Sequence, residues 1–251
     1  MARRPFLDHP GPIPFAHRGG AIDAPENSLE AFGAAVDLGY RYLETDVHVT
    51  ADGRLVAFHD PELDRVTDRG GAIADLTWDE VAAARIDGSG TIPLFEDLLT
   101  TWPDIRINVD PKDDRSVDPL IEVLRRHDAV DRVCVGAFSD RRIARVTEAL
   151  GAAVCTGLGP RSVAKLRLAS TGAPVGTIAG DCAQVPVRYG RVSIVTERFV
   201  REAHRRDIAV HVWTIDDEDE MHRLLDLGVD GIMTDRPGVL RRVFHGRGLW
   251  H

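Results

Sequence analysis

Short apolar segments alternate with amphipathic ones from end to end of the 251-residue chain, and that alternation limits the folds open to it. Strand-like runs fall at residues 13–16, 40–49, 105–110, 132–137, 152–157, 182–187, 209–215 and 231–234. Helical patterns lie between the later ones, at 117–127, 141–150, 161–169, 197–206 and 218–227. Parallel strands need crossover helices, and a closed sheet leaves no edge, so eight such units predict a (β/α)8 TIM barrel. An open doubly wound sheet is the alternative. It would usually carry a GxGxxG or GxxxxGK[ST] phosphate turn after its first strand, and neither motif occurs. A barrel typically takes about 250 residues, so residues 1–251 are expected to form one domain.

Local signals refine this plan. Asn27, with Glu30 three residues on, has the pattern of a capping box. Leu29, Phe32 and Val36 follow at helical spacing, and Gly39 supplies a stop. Asp52-Gly53 between the runs 40–49 and 54–58 predicts a hairpin, so the second strand is expected to overrun the sheet and fold back. The irregular stretch from about 60 to 98, with Gly70-Gly71 and a short helix near 78–84, reads as a small insertion after that hairpin.

Charge and cysteine content narrow the function. With 31 Lys+Arg against 40 Asp+Glu, the net charge of −9 disfavours nucleic-acid and anionic-membrane partners, though one metal ion or a local basic cluster can still hold a small anion. Cys134, Cys155 and Cys182 are an odd, widely spaced set without CxxC, which predicts neither a disulfide framework nor a zinc ribbon. No apolar run reaches membrane-spanning length, and Met1 to Pro10 has no apolar stretch behind its arginines. A soluble, reduced, cytoplasmic domain is the expectation.

In a barrel, chemistry sits at the C-terminal strand ends. The first run ends in His17-Arg18, the second carries Glu44-Thr45-Asp46, the hairpin arm ends in His59-Asp60, and the third run ends in Asp110-Pro111-Lys112. Glu44 and Asp46 are two apart on a strand, hence on one face. With Asp110 they form an all-oxygen donor set suited to a hard cation, Mg²⁺ or Ca²⁺. The alternative is an ion pair with Arg18 or Lys112. Two histidines beside them suit a general acid and base, and Arg18 and Lys112 suit a phosphate. Together these groups point to metal-assisted phosphodiester cleavage.

The same segments resemble the glycerophosphodiester phosphodiesterase family. The likeness runs through Ala16-His17-Arg18-Gly19-Gly20, the stretch 24–32, Leu43-Glu44-Thr45-Asp46, Phe58-His59-Asp60, Val212-Trp213-Thr214 and the stretch 228–237. It implies a divalent-cation-dependent hydrolase that releases sn-glycerol 3-phosphate and an alcohol, in glycerol and lipid metabolism. By position it makes His17 and His59 the acid/base pair, Glu44 and Asp46 metal ligands, and Arg18 a phosphate contact. The family's third strand usually reads Glu-x-Lys. Here Asp110 is one methylene shorter, and Pro111 follows it. The insertion corresponds to a cap that shapes substrate choice. A lysophospholipase D acting on lysophospholipids is the nearer alternative, and a non-catalytic phosphate-binding barrel the more distant one. Trp213 is expected to wall the substrate pocket, Asp235 to cap the last helix, and Glu26 to be structural or to approach the metal. His48 is expected to leave the barrel, and Arg241, Arg242 and Arg247 to lie on a solvated helix face and tail. Headgroup, native metal, the order of the two histidines, a cyclic-phosphate route and oligomeric state stay open.

Overall fold

The molecule is described by a computed structural model, in which residues 4–251 are described. The reading of Met1, Ala2 and Arg3 lies outside the described residues. Along the chain, β1 (Ile13–His17) leads into α1 (Leu29–Asp37), and β2 (Tyr42–Val49) folds back through β3 (Leu55–Ala57). After an excursion containing α2 (Trp78–Ala82), β4 (Arg85–Ile86) and β5 (Gly90–Thr91), the chain enters α3 (Phe95–Thr101). Then β6 (Arg106–Pro111), α4 (Val117–Arg126), β7 (Val133–Val135), α5 (Asp140–Leu150), β8 (Cys155–Thr156) and α6 (Pro160–Ala169) follow. The last third runs β9 (Cys182–Pro186), a small hairpin of β10 (Arg188–Tyr189) and β11 (Val192–Ser193), α7 (Glu197–His204), β12 (Ala209–Trp213), α8 (Glu218–Asp226), β13 (Gly231–Thr234) and α9 (Pro237–Gly246).

Eight of these strands are hydrogen-bonded in the order β8-β7-β6-β2-β1-β13-β12-β9, every pair parallel. The ring closes between β8 and β9 through a single parallel bridge, Gly157 to Cys182, where the Leu158 N–H donates to the Cys182 carbonyl at 2.8 Å. The expected (β/α)8 barrel is therefore present. Its outer core packs strands against helices through residues such as Phe32, Leu43, Val109, Phe199 and Phe244. A separate interior cluster fills the barrel with Ile13, Phe15, Tyr42, Met233 and all three cysteines, plugged by Phe6 and Leu7.

β3 pairs antiparallel with the overrunning end of β2, as the Asp52-Gly53 turn predicts. The excursion has a small core of its own, in which Phe58, Leu63, Ile73, Val81 and Ile86 are buried together. It hands over to α3 at Phe95, a helix absent from the sequence reading. The β10–β11 hairpin was also unforeseen.

Two local expectations are overturned. Ser28 caps α1, its Oγ accepting from the Ala31 N–H at 3.1 Å. Asn27 instead sits buried at φ 55, where its Oδ1 accepts from Thr45 Oγ1 at 2.7 Å. The short amide tolerates that left-handed conformation and uses its side chain to join α1's entry to β2. Glu30 does not complete a capping box, for it accepts from the Thr91 N–H and hydroxyl at 3.1 and 3.0 Å. Asp235 is the second correction. The N-cap of α9 is Arg236, without a side-chain cap, and the Asp235 carboxylate is used elsewhere.

Candidate active site

The C-terminal strand ends bring the predicted groups to one rim. Glu44 and Asp46 leave the same face of β2, and the register places Asp46 beside Asp110 of β6. Pro111 does not disturb the strand: it stays in register with Val47, and its carbonyl accepts from Arg142 at 3.0 Å. His17 ends β1, next to Glu44 in register, with His17 Nε2 3.7 Å from Glu44 Oε2. His59 follows β3, where the Phe58 N–H donates to the Asp46 carbonyl at 2.9 Å. That bond carries the hairpin arm back to the rim.

Each histidine is held through Nδ1 by an aspartate. His17 Nδ1 lies 2.6 Å from Asp235 Oδ1, and His59 Nδ1 lies 2.6 Å from Asp60 Oδ1. A neutral ring that donates from Nδ1 presents Nε2 as an acceptor, so both aspartates favour the tautomer whose Nε2 is open to the rim. His48, which does leave the barrel ring, is buried and donates from Nε2 to the His59 carbonyl at 3.1 Å. It steadies the backbone of His59 instead of joining the carboxylates.

Arg18 and Lys112 thread between the acids. Lys112 Nζ donates to Asp46 Oδ1 at 2.9 Å and lies 3.9 Å from Asp110 Oδ2. Arg18 Nη1 donates to Glu26 Oε1 at 3.2 Å, and its Nε is 3.4 Å from Asp46 Oδ2. The ion pairs weighed against a metal are thus formed in this structure. Even so, Asp46 Oδ2 and Asp110 Oδ1 are buried without a hydrogen bond. Glu26 also accepts two bonds from Arg65 of the excursion, at 3.1 and 2.6 Å, and Arg65 pairs with Asp60 as well. This bridge ties the excursion to Arg18 and His59 together.

Electrostatics separate the two histidines. Burial works against a charged His17, but Glu44 and Asp235 outweigh it, and its pKa rises above the usual imidazole value. Burial dominates at His59; Arg18 and Lys112 add to it, Asp46 and Asp60 oppose it, and the net shift is downward. Burial also pushes Glu44 above the carboxylate range, with repulsion from Asp46 adding, and pushes Asp110 up to about 6.

Trp213 ends β12 half-buried at the rim, its ring meeting Phe138 edge-on at 5.8 Å. Phe138, 69% exposed, is a large apolar surface that the sequence reading missed. Asp60 and Asp235 were missed as histidine partners. Asp60 directly follows His59, a visible signal, whereas Asp235 is 218 residues from His17 and only barrel closure joins them.

Residues 17–239 match the model of the glycerophosphoryl diester phosphodiesterase family. The chain is 41% identical to a Mycobacterium tuberculosis protein named "Probable glycerophosphodiester phosphodiesterase 2", over 98% of this chain and 95% of that one. It is 27% identical to human lysophospholipase D GDPD1, over 92% of this chain and 85% of the relative. Among solved structures, an Oleispira antarctica phosphodiesterase in complex with the product sn-glycerol-3-phosphate superposes with a TM-score of 0.78 at 23% identity, covering 94% of this chain and 97% of that one. A Thermotoga maritima glycerophosphodiester phosphodiesterase superposes with a TM-score of 0.75 at 22% identity, covering 94% and 99%. The matched model begins at His17 and takes in every residue of the rim described above, so the chain belongs to the glycerophosphoryl diester phosphodiesterase family and is an enzyme of that kind, a phosphodiester hydrolase.

Proposed function

We propose that the protein hydrolyses glycerophosphodiesters to sn-glycerol 3-phosphate and an alcohol, with His17 and His59 as a general acid and base. The observation that carries this reading is the pair of histidine–aspartate couples facing Glu44, Asp46 and Asp110 at one rim. The relative crystallised with sn-glycerol-3-phosphate supports the same product class.

The carboxylates suit a divalent cation: the donors are all oxygen, two of their atoms are buried without a hydrogen bond, and burial raises Glu44 and Asp110. A Mg²⁺ or Ca²⁺ ion held by Glu44, Asp46 and Asp110 would polarise a non-bridging phosphate oxygen and offset its charge. Lys112 then turns from Asp46 toward the phosphate, and Arg18 meets the same anion as a planar fork. His59, held neutral by burial, takes a proton at Nε2 from the nucleophile. His17, biased toward its charged form, gives a proton from Nε2 to the departing alkoxide. Trp213 and the excursion wall the site.

The test is a turnover panel of glycerophosphodiesters in EDTA, then with Mg²⁺, Ca²⁺ or Mn²⁺ restored. Activity that survives EDTA removes the cation from the scheme. His17→Ala and His59→Ala should each lower kcat by roughly 10²–10⁴-fold. On an aryl ester, whose leaving group needs no proton, His17→Ala should recover most of that loss and His59→Ala should not. The opposite pattern reverses the two roles.

A lysophospholipid substrate is the second reading. The exposed Phe138 against Trp213 offers an acyl chain an apolar wall at the rim, and the human relative is named a lysophospholipase D. Comparing lysophosphatidylcholine with glycerophosphocholine, before and after Phe138→Ser, separates the two.

A further inference from the structure

We infer that the floor of the barrel is a second, structural metal site, in which Cys134, Cys155 and Cys182 hold a thiophilic divalent cation, zinc by preference, and the neighbouring His211 moves in as the fourth ligand. The three cysteines lie on β7, β8 and β9, successive strands of the ring, and all three are free and buried. Their sulfur atoms lie within 4.8 Å of one another, and Cys134 Sγ is 3.6 Å from Cys182 Sγ. Zinc–thiolate bonds of ~2.3 Å at tetrahedral angles set neighbouring sulfurs about 3.8 Å apart, so shifts of at most about 1 Å bring the three sulfurs to that spacing. Among the described residues this is the one group of three or more His, Cys, Asp or Glu side chains whose donor atoms gather so tightly. The carboxylates at the rim do not.

His211 supplies the independent observation. It is fully buried, and neither ring nitrogen meets hydrogen-bond geometry; the polar group beside it is the Cys182 thiol. The ring is nevertheless given a deliberate berth. It stands within reach of the Cys182 sulfur, tilted at 5.0 Å from Phe15, and occupies space that Gly231 leaves open, where an added Cβ would meet His211 Cδ2 at 2.9 Å. The ring lies outside the tight cluster of sulfurs, beside Cys182, and a shift toward Cys134 and Cys155 would complete a Cys₃His set. That is a closed structural combination, with no position left for water. The other contact of the cluster, Cys182 Sγ to the Thr156 carbonyl at 3.8 Å, is long and weak.

Location explains what such an ion does. Cys155 and Cys182 stand on either side of the seam where the ring closes by one bridge, between a two-residue strand and β9. Phe6, Leu7, Ile13, Phe15, Tyr42 and Met233 surround the cluster and exclude water. An ion bonded to β7, β8, β9 and β12 holds that seam where backbone bonds are fewest, and thiols and imidazole release their protons as it binds. Enzyme purified without chelator under reducing conditions should carry one zinc per chain by mass spectrometry, retained in the Asp46→Asn variant. Cobalt in place of zinc should give a thiolate charge-transfer band. Refolding in strong chelator should yield protein of lower Tm that zinc restores. Cys155→Ala should lose the ion and the band; if it fails to fold, the cobalt spectrum of the Asp46→Asn enzyme decides alone. Zinc lost with Asp46→Asn, or cobalt binding without a thiolate band, overturns the site.

Discussion

At the scale of single residues, both rim histidines are oriented by an acid, but their surroundings drive them apart. His17 sits under the carboxylates of Glu44 and Asp235, and the half-buried His59 lies near Arg18 and Lys112. Asp235→Asn keeps a partner for Nδ1 but removes a charge that holds His17 upward. The limb of the pH–rate profile governed by His17 should therefore move to lower pH, with kcat reduced about 10–100-fold and KM little changed. A profile superimposable on that of the wild type would mean that Asp235 only packs against the ring. His17, Arg18, His59, Asp110 and Lys112 were legible in the sequence because each stands at or just past the end of a strand-like run, and Glu44 and Asp46 because residues two apart on a strand share a face. Asp235 was not, because its residue type and place before a helix suit a cap equally well.

At the scale of elements, the excursion after β3 is joined to the barrel by charge as much as by its own core. Arg65 reaches Glu26 and Asp60, and Glu26 in turn holds Arg18. Arg65→Ala should raise KM more than it lowers kcat, because it loosens the side wall and frees Arg18 without touching a histidine. An unchanged KM in steady-state assays would count against that coupling. Helix α1 depends on Ser28, so Ser28→Ala should cost about 1 kcal/mol in denaturant unfolding. Asn27→Ala should cost about 2 kcal/mol, as it strands the buried Thr45 hydroxyl and forces alanine to a positive φ. Two adjacent polar residues competed for the cap, and the spacing to Glu30 favoured the wrong one. Only the packing of Glu30 onto Thr91, sixty-one residues away, shows why. The short helix α3 and the β10–β11 hairpin escaped notice because each is too brief to establish a period.

At the scale of the whole molecule, acidic groups gathered inside the rim make stability depend on pH and cation together. Burial raises Asp110 to about 6 and Glu44 as well, so the folded protein keeps protons that the unfolded chain has released. Without a cation, their contribution to stability is present below the ordinary carboxylate pKa, about 4, and is lost as pH rises through about 6. The rise in Tm produced by Ca²⁺ or Mg²⁺ should accordingly grow across that window in calorimetry, and a cation effect independent of pH would contradict the ligand set. Local sequence pattern sufficed for the barrel and for most of the polar residues gathered at its rim. Strand and helix periods are local, and the order of elements leaves one economical closure. It also announced three cysteines, but at separations of 21 and 27 residues that match no local metal motif. Tertiary structure alone decided that Cys134, Cys155 and Cys182 share one interior floor with His211, and that Asp235 meets His17. Both meetings depend on how β-strands far apart in the chain register around a closed ring, which no local pattern encodes.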